Sequence, residues 1–219
     1  MKKFSICILN LLVLFCFTYN YSYAFSESYI WSSLSTLSTE VSNNLSSKDL
    51  YDAQNPLNLD CGSCILIEQT SGQILYSYNA HEKLRPASVT KLMSIYLIME
   101  ALHNGKINYD TKIPCSKNAE SMGGSQIWLS TAEELTVDEM LKAICIVSAN
   151  DCVTAMAEYL GGTEENFVSM MNEKAKTLGM NDTSYKNCHG IDEDEHYSSS
   201  YDIALLSRAL HNDYPEIIN

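Results

Sequence analysis

Residues 88–103 carry apolar side chains on nearly every side of a helical wheel: Leu92, Met93, Ile95, Tyr96, Leu97, Ile98, Met99 and Leu102. A helix with so little polar face belongs inside a core. Pro86 stands just before it and Gly105 marks its end. Any fold for this chain must therefore wrap other elements around that helix. Lys91 is carried inside with it, and an unpaired buried ammonium is costly.

The elements available to do the wrapping are mostly helical. Thr136-x-x-Glu139 is a capping-box pattern opening a helix over Val137–Val147. Residues 151–160 form another, closed by Gly161-Gly162. Glu164–Leu178 follows, with Phe167, Met170, Met171 and Leu178 on one face and Gly179 as its stop. Ser199-x-x-Asp202 opens a last helix running to Leu210. Only two clear strands are expected, Cys64–Glu68 and Gln73–Tyr78, joined by Thr70-Ser-Gly72 as an antiparallel hairpin. The pattern is sheet plus helices, an α/β (α+β) class. Two strands do not make an independently stable sheet, so the sheet is expected to be incomplete.

The N-terminus is a different object. Lys2 and Lys3 precede an apolar run from Phe4 to Phe17, and Ser22-Tyr23-Ala24 offers a small-x-small cleavage site. This is the layout of a secretory signal peptide over residues 1–24; an uncleaved anchor is the alternative, for which the apolar run is short. Residues 25–57 are Ser- and Asn-rich and read as a tether, leaving 58–219 as the folded body. Loss of the two lysines with the leader takes the formal charge from −13 to −15. That balance, without a polybasic run in the mature chain, argues against a nucleic-acid surface. Six cysteines remain in the mature chain: Cys61, Cys64, Cys115, Cys145, Cys152 and Cys188. An exported protein permits disulfides, but six cysteines allow 15 pairings and spacing does not choose among them. Cys61-Gly-Ser-Cys64 opens a strand pattern rather than a strand-to-helix turn, which weakens a redox reading. No second C-x-x-C or H-x₃-H completes a zinc set.

Two constellations carry chemistry. Ser88 and Lys91 are three residues apart, and on a helix that spacing puts them on one face. A serine hydroxyl is a poor nucleophile until a base takes its proton, and a desolvated lysine can be that base. The helix N-terminus and the Ser88 N–H would favour negative charge building nearby. Ser148-Ala-Asn150 lies in the joint between two helices. Either residue can simply cap a helix end there. As a functional pair, Ser148 would pass a proton between Lys91 and a leaving amine, and Asn150 would hold an amide of the substrate. Cys145 and Cys152 flank this motif and read as buried thiols behind it. Asp192–His196 reads as a solvated acidic loop.

Together S-x-x-K and S-x-N resemble the penicillin-recognising serine acyl-transferases. Thr70–Tyr76, Pro86–Met93, Gly124–Leu129, Ser148–Asp151, Met171–Ala175, Leu178–Met180, His189–Asp192 and Tyr201–Leu205 narrow the resemblance to the low-molecular-mass D-alanyl-D-alanine carboxypeptidases of peptidase family S11. It runs from about Leu66 to Glu216. The resemblance implies a β-lactamase/transpeptidase-like fold with an antiparallel sheet and helices, here with only the first two sheet strands. It implies that Ser88 attacks the penultimate D-alanine carbonyl of a peptidoglycan stem peptide while Lys91 accepts its proton. The terminal D-alanine leaves through Ser148, Asn150 binds substrate, and water hydrolyses the acyl-enzyme. It further implies β-lactams as covalent inhibitors, no metal or organic cofactor, and a site on the cell-wall side of the membrane. His189, in the family-like H-G-I-D turn, reads as structural.

One departure bears on activity. The family's third motif, K-T-G, is not found; Lys176-Thr-Leu-Gly179 has an intruding leucine and lies at a helix end. In the family that motif is on a later strand, supplying a lysine for the substrate carboxylate and an oxyanion-hole N–H. The chain is thus expected to be C-terminally truncated, inactive and poorly stable alone, with any C-terminal membrane attachment beyond residue 219. The rival readings are a class A β-lactamase, which expects Asp where Ala149 stands, and a vestigial penicillin-binding relative.

Overall fold

The computed structural model describes residue 57 and residues 59–218. The leader and all but the end of the tether lie outside the described residues. The chain divides into two compact units, one up to His81 and one from Glu82 onward.

In the first unit the expected hairpin forms. Strand β1 (Cys64–Ile67) pairs antiparallel with β2 (Ile74–Tyr78), Cys64 opposite Tyr78 and Leu66 opposite Tyr76. The register shifts between Leu66 and Ile67, where the strand runs into the turn. Glu68 organises that turn. Its carboxylate accepts from the backbone N–H groups of Thr70 and Ser71 and from the Ser71 hydroxyl. These donors hold the exposed carboxyl down at about 2.

In the second unit, a 3₁₀ turn (Ala87–Thr90) leads into α1 (Lys91–His103), the helix expected to be buried. Met93, Ile95, Tyr96, Leu97, Ile98 and Met99 are all buried. Then come β3 (Lys112–Pro114), the short α2 (Lys117–Glu120) and β4 (Glu134–Thr136). Helices α3 (Val137–Val147), α4 (Asn150–Gly161), α5 (Glu164–Thr177) and α6 (Ser200–Asp213) follow, then a 3₁₀ turn over Pro215–Ile218. Helix α4 is the hub: it packs against α1, α2, α3, α5 and β3. Met93, Ile98, Ile113, Met140, Met156, Phe167, Met171 and Leu206 fill the core around it without exposure.

The helix ends follow the sequence signals. Thr136 accepts from the Glu139 N–H while the Glu139 carboxylate accepts from the Thr136 N–H, a complete capping box. Ser199 accepts from the Asp202 N–H at the start of α6, which runs three residues past Leu210. The strand count needs a correction. A second antiparallel pair, β3 with β4, joins Lys112–Pro114 to Glu134–Thr136. Three-residue strands containing Lys, Pro and Glu carry almost no alternating apolar signal, so nothing in the residues marks them.

Candidate active site

Ser88 sits inside the 3₁₀ turn at the mouth of α1, and its side chain is exposed. It is not an N-cap. The residue before it, Ala87, has φ +46°, a left-handed conformation that a β-carbon disfavours. The strained turn tips the serine hydroxyl outward while the next turn goes into the core. Lys91 is only 3% exposed. Its Nζ reaches Ser88 Oγ at 3.3 Å and donates to the carbonyl oxygen of His189 at 2.8 Å. Burial pulls the Lys91 pKa down to about 8.

The segment that receives Lys91 is built tightly. Gly190 has φ +91°, and a β-carbon there would overlap the Ala87 carbonyl and come within 3.0 Å of the Ser88 nitrogen. Only glycine lets the two backbones pass. Asn187 closes the turn: its Oδ1 accepts from Gly190 N–H at 2.7 Å, and its Nδ2 donates to Ile191 O at 2.8 Å. Ser94, one turn beyond Lys91, donates to Cys188 O at 2.7 Å. The His189 contact to the candidate base is made by its main-chain carbonyl, not its imidazole.

The second constellation lies at the joint of α3 and α4. Ser148 is half-buried with φ +58°, the left-handed residue that ends α3. No hydrogen bond joins its hydroxyl to Ser88 or Lys91 in the structure. Asn150 is buried and opens α4, but it does not cap it; Ala149 stands at the cap. Instead Asn150 Nδ2 donates to Gly123 O at 2.8 Å, and its backbone N–H donates to Ser125 O at 2.7 Å. Its Oδ1 is buried without a protein partner among the described residues.

Asp151 was not singled out by the sequence. It is fully buried, and its Oδ2 accepts from the N–H groups of Ile127 and Leu129 at 3.1 and 2.9 Å. Between those donors Trp128 is held at φ +60°, 79% exposed. The joint and the Gly124–Leu129 loop are thus one unit. The flanking thiols part company: Cys152 is buried as expected, whereas Cys145 is exposed near the end of α3, beside exposed Ile146 and Val147. The helix stripe there turns apolar residues outward, which position along the helix alone does not reveal. All six described cysteines are free thiols.

His196 departs from a solvated loop. Residues 192–195 are exposed, and Asp192 pairs with Arg85, but His196 is buried against Thr90 Oγ1 at 2.8 Å. Its Nδ1 accepts from Lys186 N–H at 3.0 Å, and burial drives its pKa down to about 4.

The sequence and the fold have counterparts among known proteins. The profile of peptidase S11, described as D-alanyl-D-alanine carboxypeptidase, matches residues 50–219. The chain belongs to this family. Among its members, the D-alanyl-D-alanine carboxypeptidase DacF of Bacillus subtilis is 53% identical, over 68% of this chain and 38% of its own length. DacC of Escherichia coli is 36% identical, over 73% of this chain and 41% of its own length. This S11 chain therefore spans about two-fifths of the length of these curated relatives. In three dimensions it is similar to the carboxypeptidase DacD from Francisella tularensis, with a TM-score of 0.73 and 34% identity. That match covers 80% of this chain and 42% of the other. Penicillin-binding protein D2 from Listeria monocytogenes, solved in an ampicillin-bound form, gives a TM-score of 0.65 at 29% identity, covering 73% and 65%. The fold is that of the penicillin-binding proteins, mixed helices with small antiparallel sheets.

Proposed function

We propose that this S11 chain carries the nucleophile half of a serine-type D-alanyl-D-alanine carboxypeptidase acting on peptidoglycan stem peptides. The observation that carries the reading is the buried Lys91 ammonium within reach of the exposed Ser88 hydroxyl. The neutral Lys91 amine takes the Ser88 proton as Oγ bonds to the penultimate D-alanine carbonyl carbon. Ser88 N–H has no intramolecular acceptor among the described residues, so it can donate to the developing oxyanion. Ser148 returns a proton to the leaving D-alanine amine, and Asn150 holds a substrate amide. Water then cleaves the ester. β-Lactams, which place a strained amide at the same point, acylate Ser88, in line with the ampicillin-bound relative. The reading places the protein outside the cytoplasmic membrane, through a leader over residues 1–24.

The test is to treat the full-length gene product and its Ser88→Ala variant with a fluorescent penicillin and, separately, a peptide ending in D-Ala-D-Ala. A lasting adduct that needs Ser88, together with D-alanine release, supports the carboxypeptidase. Fast penicillin turnover without D-alanine release favours a β-lactamase. Absence of any Ser88-dependent adduct sinks the proposal.

A further inference from the structure

Behind the His189 carbonyl stands a carboxylate that the reaction itself does not use. Glu164, at the start of α5, accepts from the Cys188 N–H through Oε1 at 3.2 Å. The same oxygen lies 3.5 Å from His189 Nε2. His189 Nδ1 accepts from Ile191 N–H at 3.1 Å, so the ring proton is on Nε2 and faces Glu164. The strand of backbone over residues 188–190 is therefore gripped on both sides. On one side Ser94 and Lys91 of α1 donate to the consecutive carbonyls of Cys188 and His189. On the other, Glu164 holds the Cys188 N–H and the His189 ring.

We propose that Glu164 is a positioning residue for the Ser88–Lys91 pair, acting through the Cys188–Gly190 backbone. The proposal rests on the serine acyl-transfer reading above. Its physics is that of orientation. A lysine Nζ has three staggered directions for protons or a lone pair, and one N–H engaged with the His189 carbonyl fixes the rotor. The remaining directions then include the one toward Ser88 Oγ. If the carbonyl moves, Lys91 loses the one hydrogen-bond partner it has besides Ser88 among the described residues. Because Gly190 packs on the Ala87–Ser88 peptide, the same displacement would also release the nucleophile. A misplacement of about 1 Å costs on the order of a hundredfold in rate.

The charged and titratable groups around this grip are Glu164, Lys91, Glu193, His196 and the Cys188 thiol. Burial lowers the His189 pKa and raises that of Cys188, so both stay neutral near pH 7. The grip is thus a matter of reach and hydrogen bonding, with Glu164 needed as an acceptor rather than as a counter-ion. Two substitutions separate these roles. Glu164→Gln keeps the length and an acceptor oxygen but removes the charge. Glu164→Asp keeps the charge but withdraws it by one methylene.

The experiment uses the full-length protein, wild type and both variants, each checked for cooperative thermal unfolding. Two quantities are read: the acylation rate with a fluorescent penicillin from pH 6 to 10, and the midpoint of the Lys91 side-chain carbon resonance during an NMR titration. We expect Glu164→Asp to acylate about tenfold to a hundredfold more slowly at pH 8. Its Lys91 midpoint should move up toward the ordinary lysine range, with Glu164→Gln close to wild type in both readouts. The reverse order, or a wild-type midpoint in Glu164→Asp, overturns the proposal. If wild type itself is not acylated, the serine mechanism fails, and the Lys91 titration still decides whether Glu164 sets its environment.

Discussion

Gly190 crosses the Ala87–Ser88 peptide so closely that the two backbones share a space that admits no side chain. Gly190→Ala must meet both that overlap and a φ of +91°. We expect a loss of about 2 kcal/mol or more in folding stability. The labelled fraction per folded molecule should also fall, because Ala87 and Ser88 are the groups that have to give way. Urea unfolding and penicillin labelling on the soluble fraction check the two effects separately; unchanged labelling in a destabilised variant would confine Gly190 to a structural role.

Lys91 sets a pH dependence. Its folded pKa of about 8 lies below the ordinary lysine value of 10.5 because burial disfavours the ammonium. Only the neutral amine accepts the Ser88 proton, so acylation should rise with pH and level off above about 8. At pH 7 roughly a tenth of the molecules are ready. Lys91→Ala should lower the acylation rate by about 10²–10⁴ and abolish the rise. A profile that is flat from pH 6 to 9 would assign the base elsewhere.

His196 should make the fold acid-sensitive. Its folded pKa of about 4 lies below the ordinary histidine value of 6.5, so between those values the unfolded chain binds more protons. Stability is then greatest above about pH 6.5 and declines as pH falls toward 4, where the folded histidine also charges. His196→Gln should flatten that slope in urea unfolding at pH 4.5 and 7, at some cost in stability at pH 7 from the altered Thr90 contact.

Asp151→Ala should free the loop carrying Trp128. Three backbone donors, the N–H groups of Ile127, Leu129 and Cys152, lose a buried carboxylate, a change on the order of 3 kcal/mol. Trp128 fluorescence should shift in position and anisotropy at temperatures well below global unfolding. An unaltered Trp128 signal would mean the strained loop holds itself.

What could be read from the residues divides along physical lines. The hairpin, the buried α1 and the capped starts of α3 and α6 follow from periodicity and local side-chain chemistry, and all are present. The i, i+3 spacing foretold the approach of Lys91 to Ser88. The rest of the site depends on contacts between residues far apart in sequence. Nothing near Gly190 signals that it lies on Ala87, and nothing near Asp151 names Ile127 and Leu129 as its donors. His196 looked solvated because its neighbours are acidic, yet a bridge pairing Ser184 with Tyr197 draws it inward. The β3–β4 pair is held by its partner's backbone and needs no apolar pattern of its own.

Asn150 has a thermodynamic consequence. Its amide nitrogen is anchored to Gly123, which leaves Oδ1 enclosed without a donor among the described residues. A buried acceptor in that state costs about 1–3 kcal/mol. Under the proposed function, a substrate amide that brings an N–H to Oδ1 would supply the donor this acceptor lacks among the described residues. Position 150 is thus where the proposed substrate contact and the folding stability of the unliganded chain would pull in opposite directions, with the Gly123 anchor holding the amide in place.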